Sequence, residues 1–118
     1  NSLPALKRSI KIQQRASKKG FDWRDIDKIF LKLFEEVSEL KQARTINEKT
    51  EELGDILFTV VNLARHLDID PEHALYKSNV KFVKRFEAIE KITSSDQTEL
   101  EALSEEEKNQ LWLKVKKI

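Results

Sequence analysis

Residues 26–44 read IDKIFLKLFEEVSELKQAR, and residues 48–67 read EKTEELGDILFTVVNLARHL. In the first stretch Ile26, Ile29, Phe30, Leu33, Val37 and Leu40 recur at helical spacing; in the second Leu53, Ile56, Leu57, Val60, Ala64 and Leu67 do the same. A period of 3.6 rather than 2 makes both stretches amphipathic helices. Asp25 is placed to cap the first, and a break around Thr45 to Asn47, polar at both of these residues, separates the two. Two long helices joined by so short a connection run antiparallel.

Working outward, Leu3, Leu6, Ile10 and Ile12 predict a short helix over residues 3–18, stopped by Lys19-Gly20. Phe21-Asp22-Trp23 is a loop whose two rings are expected to plug the end of the helix bundle, an open loop whose exposed ring contacts a base being the alternative. Asp70-Pro71-Glu72 opens a fourth helix that runs to about residue 92, because Asp caps free amides and Pro loses no bond at the first helical position. Residues 93–98 are a polar connector, and Ser104 with Glu107 forms a capping box for a last helix through Trp112 and Val115. The expected fold is all-α, a four to five helix antiparallel bundle completed by homodimerisation, since two long amphipathic helices leave second faces to cover.

Composition agrees. The chain has 118 residues and 13.8 kDa with 39% apolar residues, which suits one domain over 1–118. Two Gly and two Pro are too little punctuation for a sandwich, barrel or doubly wound sheet. With 22 Lys+Arg against 21 Asp+Glu, no global field draws the chain to a nucleic-acid polymer or an acidic membrane. The absence of Cys excludes disulfides and thiolate chemistry, and no apolar run is long enough for a membrane span, so the expected compartment is the cytoplasm. The chain begins at Asn1 and has no Met, and reads as a processed or excised piece of a longer protein.

With Ile26 as angular origin and about 100° per residue, Lys32, Glu36 and Glu39 fall on one shoulder of the apolar stripe. Glu52 and Asp55 occupy the same shoulder of the next helix, and Lys81 and Arg85 that of the fourth, beside Leu75, Phe82, Phe86 and Ile89. Both acid pairs are spaced i, i+3, which aims two carboxylates from adjacent turns at one point. Four converging carboxylates repel unless a cation lies among them. Hard oxygen donors without His or Cys favour Mg²⁺ or Mn²⁺, and the nearby cations suit a polyphosphate substrate, so the pattern points to metal-dependent phosphoanhydride hydrolysis. A solvated, Glu-rich helix face is the plain alternative. Against it, seven acids and three bases lie between Glu35 and Asp55, beside a strongly apolar stripe. Glu35 itself points away from that stripe and is the weakest of the acids as a ligand.

Glu35-Glu36-Val37-Ser38-Glu39, followed after twelve intervening residues by Glu52-Leu53-Gly54-Asp55, resembles the Glu-Glu-x-x-Glu and Glu-x-x-Asp signature of MazG-type nucleotide pyrophosphohydrolases. Gly20-Phe21-Asp22-Trp23, the run from Asp55 to Leu67, and Asn79 to Phe86 resemble the carboxyl-terminal domain of MazG proper, so the likeness covers nearly the whole chain. The resemblance implies hydrolysis of nucleoside triphosphates to monophosphate and pyrophosphate by a helical homodimer. It implies Mg²⁺ held by Glu36, Glu39, Glu52 and Asp55. An acid that the metal does not fully use, Glu36 or Glu39, is then placed to serve the attacking water, and a hydroxide held by the metal is the alternative. Lys32, Lys81, Arg85 and Trp112 match substrate-binding positions, and Trp112 is reached through the resemblance alone. The sequence departs where family members often carry a base about four residues ahead of the second motif, since Glu48 stands there with Lys49 beside it. MazG proper also often has two related domains, of which only the second type is present.

His66 and His73 are too far apart for a same-face pair and read as structural or surface residues. Asn62 and Asn79 flank apolar stripes, where a buried amide usually satisfies a neighbour. Two other functions fit the same residues: a non-catalytic helical dimerisation or nucleotide-sensing module, and a house-cleaning hydrolase for one non-standard or deoxy nucleotide.

Overall fold

The structure, a computed structural model, describes residues 4–118; Leu3 of the expected first helix lies outside the described residues. Five α-helices follow in order: α1 Ala5–Lys18, α2 Ile26–Gln42, α3 Ile46–His66, α4 Pro71–Ser95 and α5 Glu105–Val115, with a single 3₁₀ turn at Leu100–Ala102 before α5. No strand occurs among the described residues, so the all-α reading holds.

The helix starts follow side-chain chemistry. Asp25 accepts a hydrogen bond from the amide of Asp27, Asp70 from that of Glu72, and Ser104 and Glu107 close the expected capping box. A second capping box, Thr45 with Glu48, starts α3 at Ile46 and absorbs part of the expected break. Three helices stop in the same way, by a reversal through a residue with positive φ. These are Gly20 after α1, Asp68 after α3 and Gln97 after α4, at φ values of 90°, 58° and 55°. In each case the next amide reaches back to the helix, from Phe21 to the Ala16 carbonyl, from Ile69 to Ala64 and from Thr98 to Thr93.

Two stretches differ from expectation. α4 continues through residues 93–95, because Thr93 is buried and its hydroxyl donates to the Ile89 carbonyl, keeping a polar residue in a helix interior. The connector is correspondingly shorter and contains the 3₁₀ turn.

The chain divides into two compact units, residues 1–73 and residues 74–118. In the first, α2 and α3 pack against each other across the short connection, and α1 packs on α3. Ile29 is fully buried there, together with Val61, Thr59, Asn62, Gln13 and Glu36. The predicted α3 stripe is only partly covered: Leu53, Leu57, Val60 and Leu67 are exposed, while on the acid-bearing shoulder of α2 Glu36 is buried and Glu39 is exposed. In the second unit Ile89, Thr93 and Val115 are buried, and α5 meets α4 through Phe82 and Trp112, whose ring centroids lie 5.8 Å apart. Phe21 is 83% exposed and Trp23 41%, so the two rings do not plug the bundle: the reversal at Gly20 swings their loop to the outside.

Candidate active site

The α2–α3 pair carries the four acids. Glu36 is 5% exposed, and its Oε1 accepts a 2.5 Å hydrogen bond from the Thr59 hydroxyl on α3, which fixes one carboxylate between the helices. One turn further along α2, the Glu39 carboxyl stands beside Glu52 of α3. Glu52 is held above the ordinary glutamate range by loss of hydration, by that contact with Glu39, and by the negative charges of Glu39, Asp55 and Glu51. Its Oε2 is shut off from solvent with no donor facing it. An acceptor without a donor and a carboxylate crowded by its own kind are both features that a bound cation would satisfy.

The donor chemistry fits a hard divalent ion, being all carboxylate oxygen, although among the described residues no three acids stand ready-made at ligating distances. Glu39, Glu52 and Asp55 form the electrostatic group, and Glu36 lies one turn away, tied to Thr59. Lys32 is half-buried on α2, one turn before Glu36.

The remaining candidates belong to the second unit. Arg85 donates to the Lys116 carbonyl at 2.6 Å, and its guanidinium carbon lies 5.4 Å from the centroid of the Trp112 ring. Phe82 leans on the same ring and stacks on Phe86 at 6.1 Å. The buried Nε of Arg85 has no acceptor. Lys81 is exposed on α4, one turn before Arg85. The structure therefore brings Arg85 and Trp112 together, and it groups the acids, in two different units of the chain.

Thr59 escaped the sequence reading, and so did a network behind the loop of residues 19–25. Arg65 grips both oxygens of Asp22 at 2.7 and 3.0 Å and donates to Oδ1 of Asn62 at 2.7 Å. His66 places Nδ1 3.0 Å from the Asn62 carbonyl and Nε2 2.7 Å from that of Trp23, a structural use of the imidazole. The signal for Thr59 was a lone hydroxyl one turn after Asp55 in an apolar run. The Asp22–Arg65 pair had none, because 43 positions separate the partners.

Comparison with known proteins settles what kind of domain carries these acids. The MazG nucleotide pyrophosphohydrolase domain matches residues 24–90, the span holding both acid motifs, Lys81 and Arg85. The chain belongs to this family. It is 45% identical over 114 residues to the nucleoside triphosphate pyrophosphohydrolase/pyrophosphatase MazG of Thermotoga maritima, covering 97% of this chain and 45% of that protein. It is 41% identical over 121 residues to the nucleoside triphosphate pyrophosphohydrolase of Escherichia coli K12, covering 98% of this chain and 46% of that one. A Bacillus subtilis protein, the uncharacterised YabN, is 45% identical over 65 residues, or 55% of this chain and 13% of its own. This MazG domain thus spans about half the length of the two pyrophosphohydrolases it matches.

Proposed function

We propose that this MazG domain hydrolyses nucleoside triphosphates to the monophosphate and pyrophosphate, with Mg²⁺, or Mn²⁺ in its place, held by Glu36, Glu39, Glu52 and Asp55. The observation that carries the reading is the Glu39–Glu52–Asp55 group with its donorless Glu52 oxygen, in a chain of this family. The names of the Thermotoga maritima and Escherichia coli relatives support the same activity. A bound divalent ion supplies charge neutralisation and polarisation at the α-phosphoryl group.

The other steps belong to the chain. Glu39, which stands beside Glu52, can take the proton of the attacking water at the α-phosphorus; Glu36 is the second candidate base, oriented by Thr59. Lys32, Lys81 and Arg85 offset the charge of the triphosphate, and the last two hold the departing pyrophosphate. The Trp112 ring, stacked on the Arg85 guanidinium, completes the binding set. A homodimer is the assembly in this reading, supported by Leu31 and Phe34 of α2, which are 65% and 64% exposed, and by Leu53 and Leu57 of α3.

The test is anion-exchange separation of products from the common nucleoside triphosphates and their deoxy forms, with Mg²⁺ and with chelator. Monophosphate plus pyrophosphate, abolished by chelator and by Glu39→Ala, is the expected result. Diphosphate plus phosphate, or no product from any nucleotide, overturns the reading.

A further inference from the structure

Three threonines lie inside helices, and Thr59 uses its hydroxyl unlike the other two. Thr50 donates to the Ile46 carbonyl at 2.7 Å and Thr93 to that of Ile89 at 3.2 Å, each back into its own helix. Thr59 on α3 crosses instead to α2 and donates to Oε1 of Glu36 at 2.5 Å. Both groups are more than nine-tenths buried, with Thr59 4% and Glu36 5% exposed. A short bond to a carboxylate, away from competing water, holds that carboxylate in one orientation.

This bond closes one end of the acid group. On α3, Glu52, Asp55 and Thr59 stand at i, i+3 and i+7, which is one stripe of the helix. On α2, running the other way, Glu39 stands beside Glu52 and Glu36 meets Thr59, so Asp55 falls between the two cross-helix contacts in register. A carboxylate can give a cation one oxygen or two. Ca²⁺ gathers about six to eight oxygens in flexible geometry and accepts both from one carboxylate, whereas Mg²⁺ demands near-ideal octahedral geometry and fills its shell with water. With Oε1 tied to Thr59, and no donor on Oε2 among the described residues, Glu36 has one oxygen left to offer an ion.

We infer that Thr59 is a positioning residue that sets the selectivity of the acid group, favouring Mg²⁺ or Mn²⁺ over Ca²⁺ by denying the ion the second oxygen of Glu36. The inference rests on the metal reading above and extends it to a residue outside both acid motifs.

The experiment follows Mn²⁺ binding to the nucleotide-free full chain by electron paramagnetic resonance, with Mg²⁺ and Ca²⁺ as competitors. It compares the wild type with Thr59→Val, Thr59→Ala and Thr59→Ser, each checked for helix content by circular dichroism; the alanine variant serves if valine does not fit beside the carboxylate. In the wild type, Mg²⁺ is expected to displace Mn²⁺ at lower concentration than Ca²⁺ does. Thr59→Val and Thr59→Ala are expected to move the ratio of the two displacement midpoints about tenfold toward Ca²⁺, and Thr59→Ser, which keeps the hydroxyl, to retain the wild-type ratio. Plain loosening of the helices weakens both ions together and leaves that ratio alone. A wild type that prefers Ca²⁺, or an unchanged ratio in a folded Thr59→Val or Thr59→Ala variant that still binds Mn²⁺, overturns the inference and leaves the metal reading standing. A folded wild-type chain that binds no Mn²⁺ at millimolar concentration overturns the metal reading, and the selectivity with it.

Discussion

Glu52 is the residue where the acid group is least stable on its own. Its carboxyl is raised by lost hydration, by Glu39 and by the charges around it, so the folded state binds more protons than the unfolded chain between the ordinary and the raised value. Metal-free stability therefore falls as pH rises through that window. Glu52→Gln is expected to remove this slope and to raise the melting temperature at pH 7 without metal, while abolishing the gain on adding Mg²⁺; thermal melts at pH 5 and 7 with and without MgCl₂ check both parts. Asp22 behaves oppositely. Hydrogen bonding from Arg65 lowers its carboxyl from 3.8 to about 2, so its contribution is present above the unfolded value and is lost as pH falls through about 2. After screening, this amounts to about 1 kcal/mol. Asp22→Asn is expected to flatten the urea stability profile between about pH 4 and 2; an unchanged acid slope would contradict the assignment.

At the scale of elements, most boundaries follow from short-range chemistry. Asp25 and Ser104 could be read as caps because a side-chain oxygen three or fewer residues from a helix start has few other uses. The stops were harder to read. Gly20 is the residue a left-handed reversal favours, but Asp68 and Gln97 adopt the same backbone with side chains that resist it. The hydrogen bonds from the Ile69 and Thr98 amides back to α3 and α4 offset that local cost. Gln97→Gly is therefore expected to stabilise the chain by about 1 kcal/mol, measured as a higher urea midpoint, with Gly20→Ala destabilising by a similar amount. Gly20 has open space around a built Cβ, so the second effect comes from the backbone and not from a clash.

At the scale of the molecule, the exposed apolar residues of α2 and α3 set the main expectation. Leu31 and Phe34 lie one turn apart on α2, and Leu53, Leu57 and Val60 form one stripe on α3, all left open within the first unit. In the proposed dimer a second copy would cover them. Leu57→Glu is expected to convert a dimer to a monomer in light scattering at micromolar concentration, with a charge desolvated at the interface as the cause. A wild-type chain that is monomeric at the same concentration would remove the dimer from the proposed function.

Helical periodicity, the caps and the i, i+3 spacing of Glu36/Glu39 and Glu52/Asp55 are local patterns, so the sequence by itself determined the all-α class, a count of four to five helices and the spacing of the acids along them. The same pattern could not say which shoulder turns inward, because a helix with exposed apolar residues and a buried carboxylate differs from its mirror choice only through its neighbours. The tertiary structure alone decided that Glu36 is buried against Thr59, that Glu52 is left with a donorless oxygen, and that Arg65 reaches back to Asp22. Each depends on residues more than ten positions apart, whose meeting is fixed by helix packing and not by any run of sequence.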